Sequence, residues 1–231
     1  MSVRLVLAGA RSLAIWSIFA VVLQCAAAQG AASAAPLAAA LDRAVLDYQS
    51  GRHALALSCF EALARRGVPA AQFNLAVMHL RGEVPQPDLV RAQRLLTQAG
   101  QAGFVTAQFM LGQALETGRF GSADLVLAHH WYEKAAGHGS VEAQVAMGTA
   151  HYLGRGARKD PAAAVRWFGL AARGGDVGAQ YLIASMYEQG DGVPQDLRLA
   201  RYWYDIAAHN GDDAAPGKVK ELDAKLMLQP S

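Results

Sequence analysis

Histidine offers the most versatile chemistry in this chain, because imidazole can act as a general base or as a metal ligand near neutral pH. The sequence has seven histidines. His79 and His151 lie 72 residues apart in the register of Tyr187, which indicates a repeated structural position filled by a ring. His129 and His130 are adjacent, so on a helix their side chains point about 100° apart and chelate an ion poorly. The histidines therefore predict no metal site.

Other signatures of chemistry are also missing from the sequence. It contains no HExxH motif, no paired CxxC and no phosphate-binding glycine loop. Serine, histidine and aspartate occur at no spacing that singles out a catalytic triad. We expect no catalytic residue, no metal and no cofactor, and an enzyme is kept only as a remote alternative.

The composition indicates a folded chain without a polyanionic partner. Of its 231 residues, 53% are hydrophobic and 17% charged, which argues against intrinsic disorder. The formal net charge is only +2, so we expect no nucleic-acid partner.

The N-terminal residues have the layout of a secretory signal. Arg4 and Arg11 precede a charge-free apolar run over residues 12–23, and small alanines follow up to Ala28. We predict a signal peptide over residues 1–28, a disordered alanine-rich lead-in over 29–40, and export to the periplasm or the exterior without stable membrane insertion. The alternative is an uncleaved segment that tethers the chain to the inner membrane. Cleavage would leave a formally neutral chain with one cysteine, Cys59, predicted to be a buried thiol.

An internal period of 36 residues organises the rest of the chain. It is carried by Ala-Gln pairs, by loop glycines and by aspartates that follow those loops. The Gln positions are Gln72, Gln108, Gln144 and Gln180, and the aspartates are Asp88, Asp124, Asp160 and Asp196.

Each unit has the pattern of a helical hairpin. In the fourth, Ala179, Ile183 and Tyr187 form one apolar stripe, Gly190 ends the helix, and Asp196 is placed to cap the next one. A hairpin with an exposed apolar face must stack on its neighbours, so we predict an all-α solenoid, a right-handed superhelix of about five hairpins. The predicted boundaries are an irregular hairpin over 41–68, four repeats over 69–104, 105–140, 141–176 and 177–212, and a capping helix and tail over 213–231.

The repeat resembles the Sel1-like repeat (SLR) family, a relative of the tetratricopeptide repeat. The resemblance rests on the Ala-Gln pair, on the loops from Gly154 to Asp160 and from Gly190 to Asp196, and on the blocks that begin at Trp131 and Trp203. It implies a concave groove lined by the first helix of each hairpin. By register, the expected groove residues are Phe73, Val77, Phe109, Gln113, Glu116, Thr149, Tyr152, Tyr181, Ser185 and Glu188.

The expected function is binding rather than catalysis. Rings could anchor a partner segment while the acids select basic partners, which suits a protein or peptide ligand. The resemblance implies an adaptor or regulator of the bacterial cell envelope, with an unknown oligomeric state. Phe73, Phe109 and Tyr181 could instead pack against neighbouring hairpins. A receptor for a glycan or peptidoglycan fragment is the alternative function, because Trp131, Tyr152, Tyr181 and Tyr204 could stack on sugars if exposed.

Overall fold

The computed structural model describes residues 35–228, and every regular element in that range is an α-helix. The helices are α1 (35–49), α2 (His53–Arg65), α3 (Pro69–Arg81), α4 (Leu89–Gln101), α5 (Val105–Glu116), α6 (Leu125–Gly137), α7 (Val141–Leu153), α8 (Pro161–Arg173), α9 (Val177–Gln189), α10 (Leu197–His209) and α11 (Ala215–Met227). Within the described part, none of them combines the length and the apolar character that crossing a membrane requires. The chain divides into two compact units, one ending at Ala71 and the other beginning at Gln72.

The described part of the first unit contains the irregular hairpin, α1 and α2. A short turn joins the two helices, and the buried Asp47 closes it by accepting a 2.8 Å hydrogen bond from Nη2 of Arg52. Residues 35–40, assigned to the lead-in from the sequence, belong to α1. Cys59 is half-buried, so the prediction of a fully buried thiol is wrong. The predicted signal peptide over 1–28 and the start of the lead-in lie outside the described residues.

The second unit is a series of stacked helical hairpins, as predicted. We call the first helix of each repeat the A-helix (α3, α5, α7, α9) and the second the B-helix (α4, α6, α8, α10). From α4 to α11, each helix packs against the next one along the chain. The B-helices α6 and α8 therefore contact both the A-helix of their own repeat and the following A-helix. For α4 this packing is with the following A-helix, and for α10 it is with the A-helix of its own repeat. This packing buries a continuous core, which the solenoid prediction requires.

The periodic aspartates begin the B-helices. The Oδ1 atoms of Asp88, Asp124, Asp160 and Asp196 each accept a 2.9 Å hydrogen bond from the backbone N–H three residues later. An aspartate at this position satisfies an N–H that the helix itself leaves without a partner. The periodic glycine that follows each A-helix has φ between +67° and +73°, a conformation that favours glycine. These two residue types explain why helix and loop boundaries recur every 36 residues.

The glutamine of each Ala-Gln pair is buried, and those of the second, third and fourth repeats join helices of successive repeats. Nε2 of Gln108 donates to the carbonyl of Gly100 at 2.8 Å, and Nε2 of Gln180 donates to the carbonyl of Ala172 at 3.1 Å. Both carbonyls belong to the last turn of the preceding B-helix, and each also accepts a 3.1 Å hydrogen bond from the backbone N–H three residues later. The glutamine thus fixes α5, α7 and α9 against the end of the preceding B-helix.

Small residues let the two helices of a repeat approach closely. The ring of Tyr132 lies over Gly112, and the ring of Phe168 lies over Gly148 one repeat later. A Cβ at Gly112 would lie 2.7 Å from two carbons of the Tyr132 ring, and a Cβ at Gly148 would lie 2.6 Å from the Phe168 ring. Glycine is therefore required by space at these two positions.

The solenoid is capped by α11, as the sequence predicts. Leu222 is fully buried, and Val219 packs with it against a cluster that includes Ala184 and Tyr204. Asp212 lies just before the helix, and its Oδ1 accepts hydrogen bonds of 2.9 and 2.8 Å from the backbone N–H groups of Ala214 and Ala215. Lys220 and Glu221 are exposed, whereas Asp223 pairs with Arg201 of α10, so charged contacts add to the apolar packing of the capping helix.

Gly112→Ala should destabilise the protein, because its Cβ would overlap the buried Tyr132 ring. We expect a loss of about 1–3 kcal/mol in the free energy of unfolding, measured by urea denaturation. Gly137→Ala is the matched control: this helical glycine has no atom within 4 Å of the added Cβ, so its stability should be unchanged or slightly higher. Equal stability of the two variants would contradict the packing described above.

Candidate functional site

Three cavities follow one another along the A-helices of the second unit. The first, of about 330 Å³, lies between α3 and α5. The second, of about 130 Å³, lies between α6, α7 and the end of α5. The third, of about 240 Å³, lies between α7 and α9. We call this row of cavities the A-helix groove. A row of clefts between successive helices offers an extended partner several adjacent points of contact.

Six of the ten residues expected in the groove line these cavities. Val77 and Gln113 line the first, Glu116 and Thr149 the second, and Thr149, Tyr152 and Ser185 the third. The structure thus brings residues about 36 positions apart in the sequence into one cavity, because they recur at two registers of the repeat. The other four predicted residues, Phe73, Phe109, Tyr181 and Glu188, lie outside the three linings.

The three predicted anchor rings are packing groups. The ring centroid of Phe109 lies 5.7 Å from that of Tyr132, and that of Tyr181 lies 5.0 Å from that of Tyr204. Phe73 lies 5.3 Å from Phe104 in the same way. In the second and fourth repeats the ring partner comes from the B-helix of the same hairpin, so each half-buried ring supports its own repeat.

The two acids predicted to select basic ligands are engaged within the chain. Oε2 of Glu116 accepts a 2.8 Å hydrogen bond from the hydroxyl of Tyr132, and Oε2 of Glu188 accepts a 3.0 Å bond from Tyr204. Burial of each tyrosine, together with its bond to a carboxylate, raises the pKa of Tyr132 and of Tyr204 far above the ordinary value. The hydroxyls are therefore permanent donors, and each holds its carboxylate in place.

Cations from the next helical hairpin or from the capping helix also pair with these two acids. Arg155 lies 3.6 Å from Oε1 of Glu116, while Lys218 and Lys225 of α11 lie 3.4 and 3.3 Å from the carboxylate oxygens of Glu188. Burial alone would raise the pKa of Glu188, but bonds from Tyr204 and the two lysines outweigh it and lower that pKa. Glu188 is thus paired with the capping helix, and its role in selecting basic ligands stays a prediction.

These contacts belong to a series that we call the ladder. It joins the last turns of α3, α5 and α7 to the residue 39 positions later, which directly follows the next loop glycine. Its members are Leu80 with Arg119, Glu116 with Arg155, and Tyr152 with Asp191. Tyr152 hydrogen-bonds to Asp191, which raises the pKa of its exposed hydroxyl. In the first pair, Nη2 of Arg119 donates to the backbone carbonyl of Leu80 at 2.8 Å.

Sequence reasoning missed a histidine pair beside the second cavity. The rings of His129 on α6 and His151 on α7 meet edge to face, with centroids 5.3 Å apart. Burial, followed by the nearby His151, lowers the pKa of His129. His79 is a buried ring whose Nδ1 accepts a 3.2 Å hydrogen bond from the backbone N–H of Asp88, in agreement with its predicted structural role. Across residues 35–228, no group of three or more potential ligands is arranged for a metal ion.

The rings that a glycan receptor would need are mostly unavailable. Trp131 is 6% exposed and Tyr204 is 1% exposed, and Tyr181 is half-buried against Tyr204. Of the four candidate rings, Tyr152 is the exposed one. These four rings therefore do not form an exposed stacking platform.

The family model of the Sel1 repeat matches four segments of the chain, residues 69–104, 105–140, 141–176 and 177–212. They cover more than half of the sequence and coincide with the four units of the 36-residue period. No curated protein is significantly similar to the chain.

Two solved structures show the same fold. The first is c5321, a protective antigen present in uropathogenic Escherichia coli strains that displays an SLR fold; it is 27% identical with a TM-score of 0.77, over 83% of this chain and 42% of that protein. The second is a Sel1 repeat protein from Oxalobacter formigenes, 33% identical with a TM-score of 0.67, over 73% of this chain and 49% of that protein. The chain thus spans less than half the length of either protein.

The lowered pKa of His129 predicts an acid-dependent loss of stability. Because the folded protein holds this ring neutral while the unfolded chain protonates near the ordinary pKa of about 6.5, stability falls as pH drops from about 6.5 toward the lower folded pKa. His129→Gln removes this group, so its melting temperature should fall less than that of the wild type between pH 8 and pH 5. The difference in melting temperature between wild type and variant at pH 8, where the His129 ring of the wild type is neutral, is the internal reference. Parallel pH profiles would show that His129 is not held neutral.

Proposed function

Because the chain belongs to the Sel1 repeat family, we propose that it is a non-catalytic protein-interaction module that binds a segment of a partner protein in the A-helix groove. Sel1 repeat proteins are generally protein-interaction modules, and the family is typically a non-catalytic scaffold. The chain's own geometry supports the same role, because its cavities lie in a row on helices that repeat one register. Such a row suits an extended ligand better than a single small molecule.

The observation that carries this proposal is the apolar third cavity. Tyr152, Leu153 and Leu182 line it with exposed fractions of 37%, 53% and 41%, and the buried Phe168 and Met186 form its base. Large apolar side chains that surround one concave site are typical of a surface that a partner covers. Ser185 and Gln189 add polar groups to the same lining, which can hydrogen-bond to the backbone of an extended segment.

We place this binding module in the bacterial cell envelope, as an adaptor or regulator. The support is the N-terminal layout of Arg4, Arg11, the apolar run over 12–23 and the small alanines that end at Ala28. Cleavage there would release the module to the periplasm or the exterior, and an uncleaved segment would hold it at the inner membrane.

The groove can be tested by site-specific photo-crosslinking in native cells. A crosslinker at Leu182, in the third cavity, should capture a discrete partner, whereas one at Val126, an exposed residue of a B-helix outside the three cavities, should not. Tyr152→Ser with Leu182→Ser should then reduce binding of that partner by at least about ten-fold, because apolar anchors at the centre of an interface carry most of its free energy.

Val126→Ser is the matched control, since it also replaces an exposed aliphatic residue of a helix. It should leave partner binding and melting temperature unchanged. Equal capture at Leu182 and Val126, or full binding by the double variant with an unchanged fold, would contradict the groove assignment.

A further inference from the structure

The ladder lacks an acid at its first position. In the second repeat, Glu116 supplies the carboxylate and Arg155 the cation; at the end of the solenoid, Glu188 supplies the carboxylate and two lysines supply the cations. In the first repeat, the residue at the same register is Leu80, although the cation, Arg119, is present. The contact therefore runs from the Arg119 guanidinium to a backbone carbonyl, and its positive charge has no carboxylate partner among the described residues.

The first cavity lies at this position. Val77, Leu80, Met110 and Ala114 provide apolar walls, and the exposed Arg119 stands at the same cavity. Its volume of about 330 Å³ falls at the lower end of the range for ligand-binding clefts. A guanidinium has five N–H donors, and the bond to Leu80 uses one of them, so donors remain for a ligand.

We propose that the first cavity binds an acidic side chain of the partner, a glutamate or aspartate followed by an aliphatic residue. The partner's carboxylate would pair with Arg119 as Glu116 pairs with Arg155, and the aliphatic side chain would cover Leu80 and Met110. This inference rests on the proposed function, since it names the chemistry of the segment that the A-helix groove takes. The proposed ligand residue is acidic, whereas the sequence led us to expect basic partners. The reason is that the groove acids are neutralised within the chain while Arg119 is not.

Short capped peptides containing Glu-Leu, with an acetylated N-terminus and an amidated C-terminus, provide the probe. Their binding to the full chain can be measured by fluorescence polarisation, with Gln-Leu peptides as the neutral comparison and uncapped peptides ending in Leu as the test of a terminal carboxylate. We expect the Glu-Leu peptide to bind about ten-fold more tightly than the Gln-Leu peptide, because a hydrogen bond to a charged group is worth more than a neutral one. The preference should shrink in high salt.

Two variants test whether Arg119 pairs with the carboxylate of the ligand. Arg119→Gln should abolish the preference for Glu-Leu. Leu80→Glu should abolish binding by supplying the missing carboxylate from the chain itself, with the melting temperature unchanged or raised. Arg158→Gln is the control, because Arg158 is exposed and lies outside the three cavities; it should bind like the wild type.

The inference is overturned if Gln-Leu peptides bind as well as Glu-Leu peptides, if Arg119→Gln keeps the preference, or if the uncapped terminal carboxylate is the form that binds. Any of these results together with normal crosslinking at Leu182 would leave the A-helix groove as a binding surface and remove only the acidic specificity. Loss of crosslinking at Leu182 in the wild type would instead count against the proposed function.

Discussion

The stack of repeats depends on a buried amide that satisfies the end of a helix. Near the ends of α4 and α8, the carbonyls of Gly100 and Ala172 each accept a 3.1 Å hydrogen bond from the backbone N–H three residues later, and a carbonyl oxygen has room for a second donor. Gln108 and Gln180 supply the donor from the next A-helix, and their own Oε1 atoms pair with His138 and Asn210 near the end of the following B-helix. One side chain thus couples three successive helices, which ties the geometry of one repeat to that of the next.

Because this coupling fixes the helices, other positions are free to vary without changing the fold. The last turn of the A-helix holds leucine, glutamate, tyrosine and glutamate in the four repeats, and the residue that faces it varies in step. Tyrosine on the B-helix accompanies each glutamate, whereas Leu96 and Phe168, which have no hydroxyl, accompany Leu80 and Tyr152. This pairing of residues within a repeat keeps the half-buried carboxylates hydrogen-bonded, so the surface chemistry of each repeat is set locally.

The sequence was sufficient for the fold because period, caps and loop glycines are local signals. Asp196 caps α10 by accepting a hydrogen bond from the backbone N–H three residues later, and Gly190 ends α9. Each of these signals therefore acts within one turn of helix. The fate of Glu188 was not readable in the same way. Its partners Lys218 and Lys225 belong to a helix outside the repeat and share no register with Arg155, so only the packed structure shows that the acid is neutralised.

Whether a charged residue has a partner within the chain bears on how the proposed groove would select a ligand. A chain that is formally neutral after signal cleavage would exert little long-range steering, so selection depends on individual charges that lack an internal partner. Counting acids along the groove register would favour a basic ligand, but Glu116 and Glu188 are held by tyrosines and cations of the chain itself. Where leucine replaces the acid at position 80, the same repeat geometry leaves Arg119 beside an apolar cavity. On the proposed function, the break in the repeat, rather than the repeat itself, would therefore give the surface its specificity.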